Sequence, residues 1–223
     1  MSMPGPSLLP SPTLCLVTDR RFSQGTSLPI QVEAALAGGV NVVQLREKDL
    51  AAGELLALAE AIRDVTSKAH ALFLLNDRVD VALAVAADGV ELGEEAMPVQ
   101  AVRRIAGRRL LIGRSVHSLD GAREAEAQGA DFLVVGTIFP TGSKPGATTA
   151  GLELLARVHS AVRIPFLAIG GINAANVAHV MAQGAAGVAV ISAILASKDP
   201  RQAARELKEA MVAAALREGL PAR

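Results

Sequence analysis

Short apolar runs alternate along this chain with longer stretches of helical periodicity. The runs fall at residues 14–18, 42–45, 72–75, 89–92, 110–113, 132–136, 166–169 and 187–191. Runs this short, bounded by glycine or polar clusters, predict fully buried strands. Between them the apolar positions recur at helical spacing. Leu55, Leu58, Ile62 and Val65 share one helix face, and Ala203, Leu207, Ala210 and Ala214 share another. Pro29, Pro98 and Pro200 stand where helices can begin, the position proline tolerates best. Strands that alternate with helices are joined in parallel, and eight such units close a (β/α)₈ barrel. The alternative is an open doubly wound sheet, which needs a topological switch and usually fewer strands.

A weak internal repeat supports the barrel. AGGVNVVQL from Ala37, AADGVELG from Ala86, QGADFLVVG from Gln128 and QGAAGVAVI from Gln183 share one plan. Each ends a helix on small residues and glycine, turns, and opens a strand. No charge run or long linker divides the chain, so one barrel domain is expected over residues 13–223. Residues 1–12 contain four prolines and no charge, and they read as a loose tail without the basic start of a signal peptide.

Composition narrows the classes. Of 223 residues, 51% are apolar and only 2% aromatic, so the core is aliphatic, as barrel interiors are. The formal net charge is zero and no basic stripe is interleaved with aromatics, which argues against nucleic-acid binding. No apolar stretch reaches membrane-spanning length. The single cysteine, Cys15, sits in the first run and reads as a small buried hydrophobe. These features predict a cytoplasmic chain with no membrane partner. An apolar helix face is compatible with a homodimer, without fixing the oligomeric state.

In a (β/α)₈ barrel chemistry sits at the C-terminal ends of the strands, so the clusters that follow the runs matter most. After the second run comes QLREKD at 44–49, where alternation puts Gln44, Arg46 and Lys48 on one face. An amide and two cations suit a phosphate or diphosphate, whereas a solvated turn with an Arg46–Glu47 pair is the plainer reading. After the third run comes NDR at 76–78. Asp77 there is a magnesium ligand or, more simply, the cap of a helix from Val79. GRSVHS at 113–118 brings His117, the one histidine near a strand end, as a proton-transfer group, with Ser118 as a helix cap. The long loop at 136–151 reads as a lid or ligand clamp, with Thr141, Ser143 and Lys144 suited to phosphate. IGGIN at 169–173 and VISAI at 190–194 form the phosphate site that loops seven and eight of a barrel commonly make, through Gly170, Gly171, Ile191 and Ser192. A small phosphorylated ligand follows.

In this order the clusters resemble the superfamily of thiamine phosphate synthases and TenI-type thiazole tautomerases. The resemblance runs from LVTDR at Leu16 through VISAI. Its markers are QLREKD, LLNDRVDVALAVAADGVELG, GRSVHS, GTIFPTGSKPG and LAIGGIN. It implies a single (β/α)₈ barrel acting on thiazole or pyrimidine phosphates. A synthase joins hydroxymethylpyrimidine diphosphate to thiazole phosphate and expels pyrophosphate with Mg²⁺. A tautomerase shifts a proton on carboxythiazole phosphate and needs no metal.

Carried over from the synthase pattern, Gln44, Arg46, Lys48 and Asn76 would hold the diphosphate, and Asp77 would bind magnesium. Ser115, Thr141, Ser143 and Lys144 would complete the substrate shell. Gly171, Ile191 and Ser192 would take thiazole phosphate. The chain departs from that pattern after the fourth run, where ELGEEA at 91–96 stands for a segment close to His-Leu-Gly-Gln-Glu-Asp. Ala96 replaces the second magnesium ligand, and Glu94 or Glu95 is the candidate substitute. On that ground the sequence favours a TenI-type tautomerase with His117 as its proton-transfer residue. The synthase is the alternative, and a non-catalytic phosphate-ligand regulator is a third reading.

Overall fold

Each apolar run forms a parallel strand, and a helix returns the chain to the next one. This is seen in a computed structural model that describes residues 9–23, 25–142, 146 and 148–217. The order is β1 (Thr13–Val17), a short 3-10 turn (Arg20–Phe22), α1 (Leu28–Ala37), β2 (Val42–Leu45), α2 (Ala52–Lys68), β3 (Leu72–Asn76), α3 (Val79–Ala84) and β4 (Gly89–Leu92). It continues through α4 (Val99–Ala106), β5 (Leu111–Val116), α5 (Leu119–Ala127), β6 (Phe132–Gly136), α6 (Gly151–Ala161), β7 (Phe166–Ile169), α7 (Val177–Met181), β8 (Gly187–Val190), α8 (Ser192–Leu195) and α9 (Pro200–Arg217). The strands close in sequence order, with β1 hydrogen-bonded to β8, so the fold is a single (β/α)₈ barrel as the pattern predicts.

Strand alternation divides the core into two layers. Outward residues such as Leu14, Leu16, Val43, Leu45, Phe73 and Leu75 pack against the helices. Inward residues Cys15, Val17, Val42, Leu74, Phe132, Val134, Leu167 and Ala189, joined by Leu9, fill the barrel as a small apolar plug. The plug depends on one small residue. A Cβ on Gly113 would lie 2.2 Å from the Phe132 ring, so only glycine leaves room for it. Two residues further along four adjacent strands the inward position turns polar, at Gln44, Asn76, Glu91 and Ser115. All four are at the C-terminal end of the barrel.

The strand bounds differ from the sequence reading by a residue or more in places. β5 runs to Val116 rather than ending at residue 113, because Ser115 and Val116 pair with Val134 and Val135 of β6. β8 stops at Val190, and Ile191 caps α8. The expected tail over residues 1–12 lies mostly outside the described residues. At its end Leu9 belongs to the plug, and the Pro12 carbonyl accepts from Lys208 of α9. Among the described residues no helix is long and apolar enough to cross a membrane.

Candidate active site

The polar ring at the top of the plug forms one continuous hydrogen-bond chain. The Asp77 carboxylate accepts from the Gly93 backbone N–H at 2.8 Å and from Asn76 Nδ2 at 2.8 Å. Asn76 Oδ1 in turn accepts from Gln44 Nε2 at 3.0 Å. The same nitrogen of Gln44 donates to Glu91 Oε2 at 3.0 Å, and Glu91 Oε1 accepts from the Ser115 hydroxyl at 2.6 Å. Glu91 is 3% exposed, and burial pushes its carboxyl above the usual range against the opposing hydrogen bonds from Ser115 and Gln44. Below it the Cys15 thiol is pushed up by the same burial, so it stays neutral and inert, as expected of a plug residue.

The rim on this side carries the cations. Lys48 Nζ lies 3.8 Å from Asp77 Oδ2. Arg46 faces the same cavity, and its backbone N–H donates to Thr18 Oγ1 at 2.9 Å. Thr18 and the 3-10 turn behind it hold this loop in place. Arg20 pairs with Glu47 at 3.2 Å and with Asp49 at 2.7 Å. Glu47 therefore does not pair with Arg46, contrary to the plainer sequence reading, and Arg46 is left facing the cavity. Asp77 is not a helix cap either. Arg78 occupies that place with no capping side chain, and Asp77 adopts φ +59° with its carboxylate turned to Gly93 and Asn76.

His117 follows directly after β5. Its Nδ1 donates to the carbonyl of Gly136, which leaves Nε2 toward the cavity at 3.6 Å from Glu94 Oε2. An imidazole held by one nitrogen presents the other to a ligand in a fixed direction. Ser118 caps α5 as expected, accepting from the Gly121 N–H at 3.1 Å.

The opposite rim is backbone-lined. Gly170 and Gly171 have φ of +107° and +63°. A Cβ would lie 2.5 Å from Thr137 Cγ2 at Gly170, and 2.4 Å from the Pro140 carbonyl oxygen at Gly171. The loop after β6 thus packs directly on these glycines. Ile191 and Ser192 stand beside them at the start of α8. Backbone N–H groups at such a corner suit an anion.

Both rims open into one cavity of about 830 Å³. Gln44, Arg46, Lys48, Asn76 and Asp77 line it on one side. Ser115, His117 and Thr141 lie in the middle, with Gly170, Gly171, Ile191 and Ser192 on the other side. Ser143 and Lys144 lie outside the described residues. Sequence reasoning noticed Glu91 only as a departure and gave it no role. Its signal was present, because a glutamate two residues after an inward Gly89 in a buried strand must face the barrel axis. Glu94 and Glu95 also line the cavity, next to Ala96. Among the described residues no group of three or more His, Cys, Asp or Glu is gathered as a metal cluster. A fixed Asp77 carboxylate beside cations and an open cavity instead suits magnesium held by one or two carboxylates and by substrate phosphate oxygens.

Comparison with known proteins places the chain in one family. A sequence profile described as thiamine monophosphate synthase matches residues 14–194. A thiamine-phosphate synthase of Moorella thermoacetica is 46% identical over 207 residues, covering 92% of this chain and 99% of that protein. One from Methanoculleus marisnigri is 48% identical over 202 residues, covering 90% and 96%. A solved thiamine phosphate pyrophosphorylase from Pyrococcus furiosus superposes with a TM-score of 0.85 at 42% identity, covering 91% of this chain and 96% of that one.

Proposed function

The chain belongs to the thiamine monophosphate synthase family, and from this membership we propose that it is a thiamine-phosphate synthase. It would join hydroxymethylpyrimidine diphosphate to thiazole phosphate with release of pyrophosphate. The names of its relatives favour this alternative over the tautomerase that the sequence preferred. One observation carries the reading. The cavity has two sides whose chemistry suits an anion, a cationic one at Arg46 and Lys48 and a glycine-lined one at Gly170 and Gly171. A reaction between a diphosphate and a monophosphate uses both, and the Asp77 carboxylate beside the cations suits a magnesium diphosphate, which the single carboxylate of carboxythiazole phosphate does not call for.

The ring nitrogen of thiazole phosphate attacks the methylene carbon of the pyrimidine. A C–N bond forms while the C–O bond to the diphosphate breaks. The leaving pyrophosphate takes the electron pair, and the thiazole nitrogen becomes cationic. No proton has to move in this step. Catalysis then rests on orientation and on charge. The backbone at Gly170 and Gly171, with Ser192, holds the thiazole phosphate tail. Arg46, Lys48 and Asn76 take up the charge on the departing diphosphate. Asp77, with Glu94 or Glu95, would hold magnesium, which when bound neutralises diphosphate charge. Ala96 brings no ligand, so most of the coordination would fall to substrate oxygens. Ser143 and Lys144 belong to the same proposed substrate shell.

The His117 geometry favours a second reading. Nε2 faces the cavity with Nδ1 anchored, as proton transfer on a carboxythiazole would require. One assay separates the readings. Purified protein with both substrates and Mg²⁺ should form thiamine phosphate and pyrophosphate, and chelation should stop it. Isomerisation of carboxythiazole phosphate without pyrimidine or metal, and no thiamine phosphate in the full mixture, would replace the synthase by the tautomerase. Binding without either product would leave the regulator.

A further inference from the structure

Two carboxylates set the direction of the hydrogen-bond chain across the cavity floor. The Asp77 side accepts from Asn76 Nδ2, which turns Asn76 Oδ1 toward Gln44. Glu91 Oε2 stands on the other side of the same Gln44 nitrogen. Both N–H bonds of the Gln44 amide are therefore occupied, one toward β3 and one toward β4. The amide is planar and 3% exposed, so its remaining polar atom, the Oε1 carbonyl, is what it offers to the cavity it lines, an acceptor in place of the diphosphate donor that the resemblance implies.

We propose that Glu91 is a positioning residue that turns the Gln44 carbonyl toward the ligand and thereby selects a ring bearing an N–H donor over one bearing a carbonyl at the same place. The inference deepens the synthase reading and rests on it for the ring's identity, an aminopyrimidine. An oxo analogue would set its own carbonyl against Gln44 Oε1, two acceptors facing each other. An acceptor buried as deeply as Gln44 and left without a donor is costly. Glu91 holds this arrangement in competition with the free rotation of the amide. Removing it leaves only the Asn76 bond, and the freed N–H can turn to an oxo ligand.

The test measures the affinities of 4-amino-2,5-dimethylpyrimidine and its 4-oxo counterpart by calorimetry on the full chain, in pyrophosphate and Mg²⁺. Wild type should prefer the amino probe by about tenfold or more. Glu91→Gln keeps an acceptor for Gln44 and should retain that ratio. Glu91→Leu should lower it by about threefold or more, with Glu91→Met carrying the same readout should the leucine variant not fold. A merely structural role would weaken both probes together and leave the ratio unmoved. The proposal is overturned if wild type shows no preference, binds neither probe, or if folded Glu91→Leu or Glu91→Met keeps the wild-type ratio. Absence of thiamine phosphate formation alongside the expected ratios would remove the synthase reading but not the role of Glu91.

Discussion

At the scale of single residues, the site is built where side chains are fixed and where they are absent. Gly171 is the sharpest case. Its φ of +63° and the Pro140 carbonyl 2.4 Å from any Cβ exclude every other residue without movement of the loop after β6. Gly171→Ala should therefore cost about 1–3 kcal/mol of stability. It should also raise the KM for thiazole phosphate at least about fivefold while leaving the KM for the pyrimidine diphosphate nearly unchanged. Thermal melts and steady-state kinetics with each substrate varied in turn check both. Equal effects on the two KM values would mean that the glycine-lined side does not hold the thiazole tail. The glycine pair was legible in the sequence, since two glycines after a buried run have few other uses. The role of Glu91 was not, because its meaning lies in partners 47 and 24 residues away, Gln44 and Ser115.

At the scale of elements, the strand runs were readable because a parallel strand buried on both faces leaves an uninterrupted apolar signature. The exception was β5, which carries polar Arg114 and Ser115 just before its last residue, Val116. A strand that reaches the functional rim trades apolar for polar at the inward position, and periodicity then loses it. In the sequence the segment between β1 and α1 carries only a family marker. It is in fact the brace of the cationic rim. Asp19 caps the 3-10 turn by accepting from the Arg21 N–H at 3.1 Å and pairs with the Arg21 guanidinium at 2.6 Å. The Arg21 hydrogen bonds hold the Asp19 carboxyl below its usual 3.8 against the opposing effect of burial. A lowered folded pKa contributes stability at pH above the unfolded value, lost as pH falls through the folded one. Asp19→Asn should thus be about 1 kcal/mol less stable than wild type at pH 7. The gap should close as pH is lowered below 3.8, which urea melts at pH 7 and near pH 3 would show. A gap that stays constant with pH would assign the loss to shape rather than to charge.

At the scale of the whole molecule, one barrel carries two interiors that share the same strands. The lower is an apolar plug, and the upper is the polar floor of the cavity. They meet within β5, where Gly113 serves the first and Ser115 the second. Closure of the barrel around Phe132 therefore fixes where Ser115, Glu91 and Gln44 stand. Damage to the plug should then carry damage to the chemistry with it. A Cβ at position 113 would meet the Phe132 ring at 2.2 Å, a contact backbone this well paired cannot relieve by a small shift. Overpacking of a tight core costs about 1–3 kcal/mol, and Gly113→Ala should fall in the upper part of that range. Replacing the ring by a smaller aliphatic group removes the clash, so Phe132→Leu in the Gly113→Ala background should recover stability, though Phe132→Leu alone destabilises. The sign of that coupling is the decisive quantity, and a double-mutant cycle by denaturant unfolding measures it. Additive losses would mean that the two residues do not share one space in the barrel. Recovery of stability with recovery of product formation would tie the geometry of the polar floor to the packing beneath it. Recovery of stability alone would instead show that the floor is set by its own hydrogen bonds from Asp77 to Ser115.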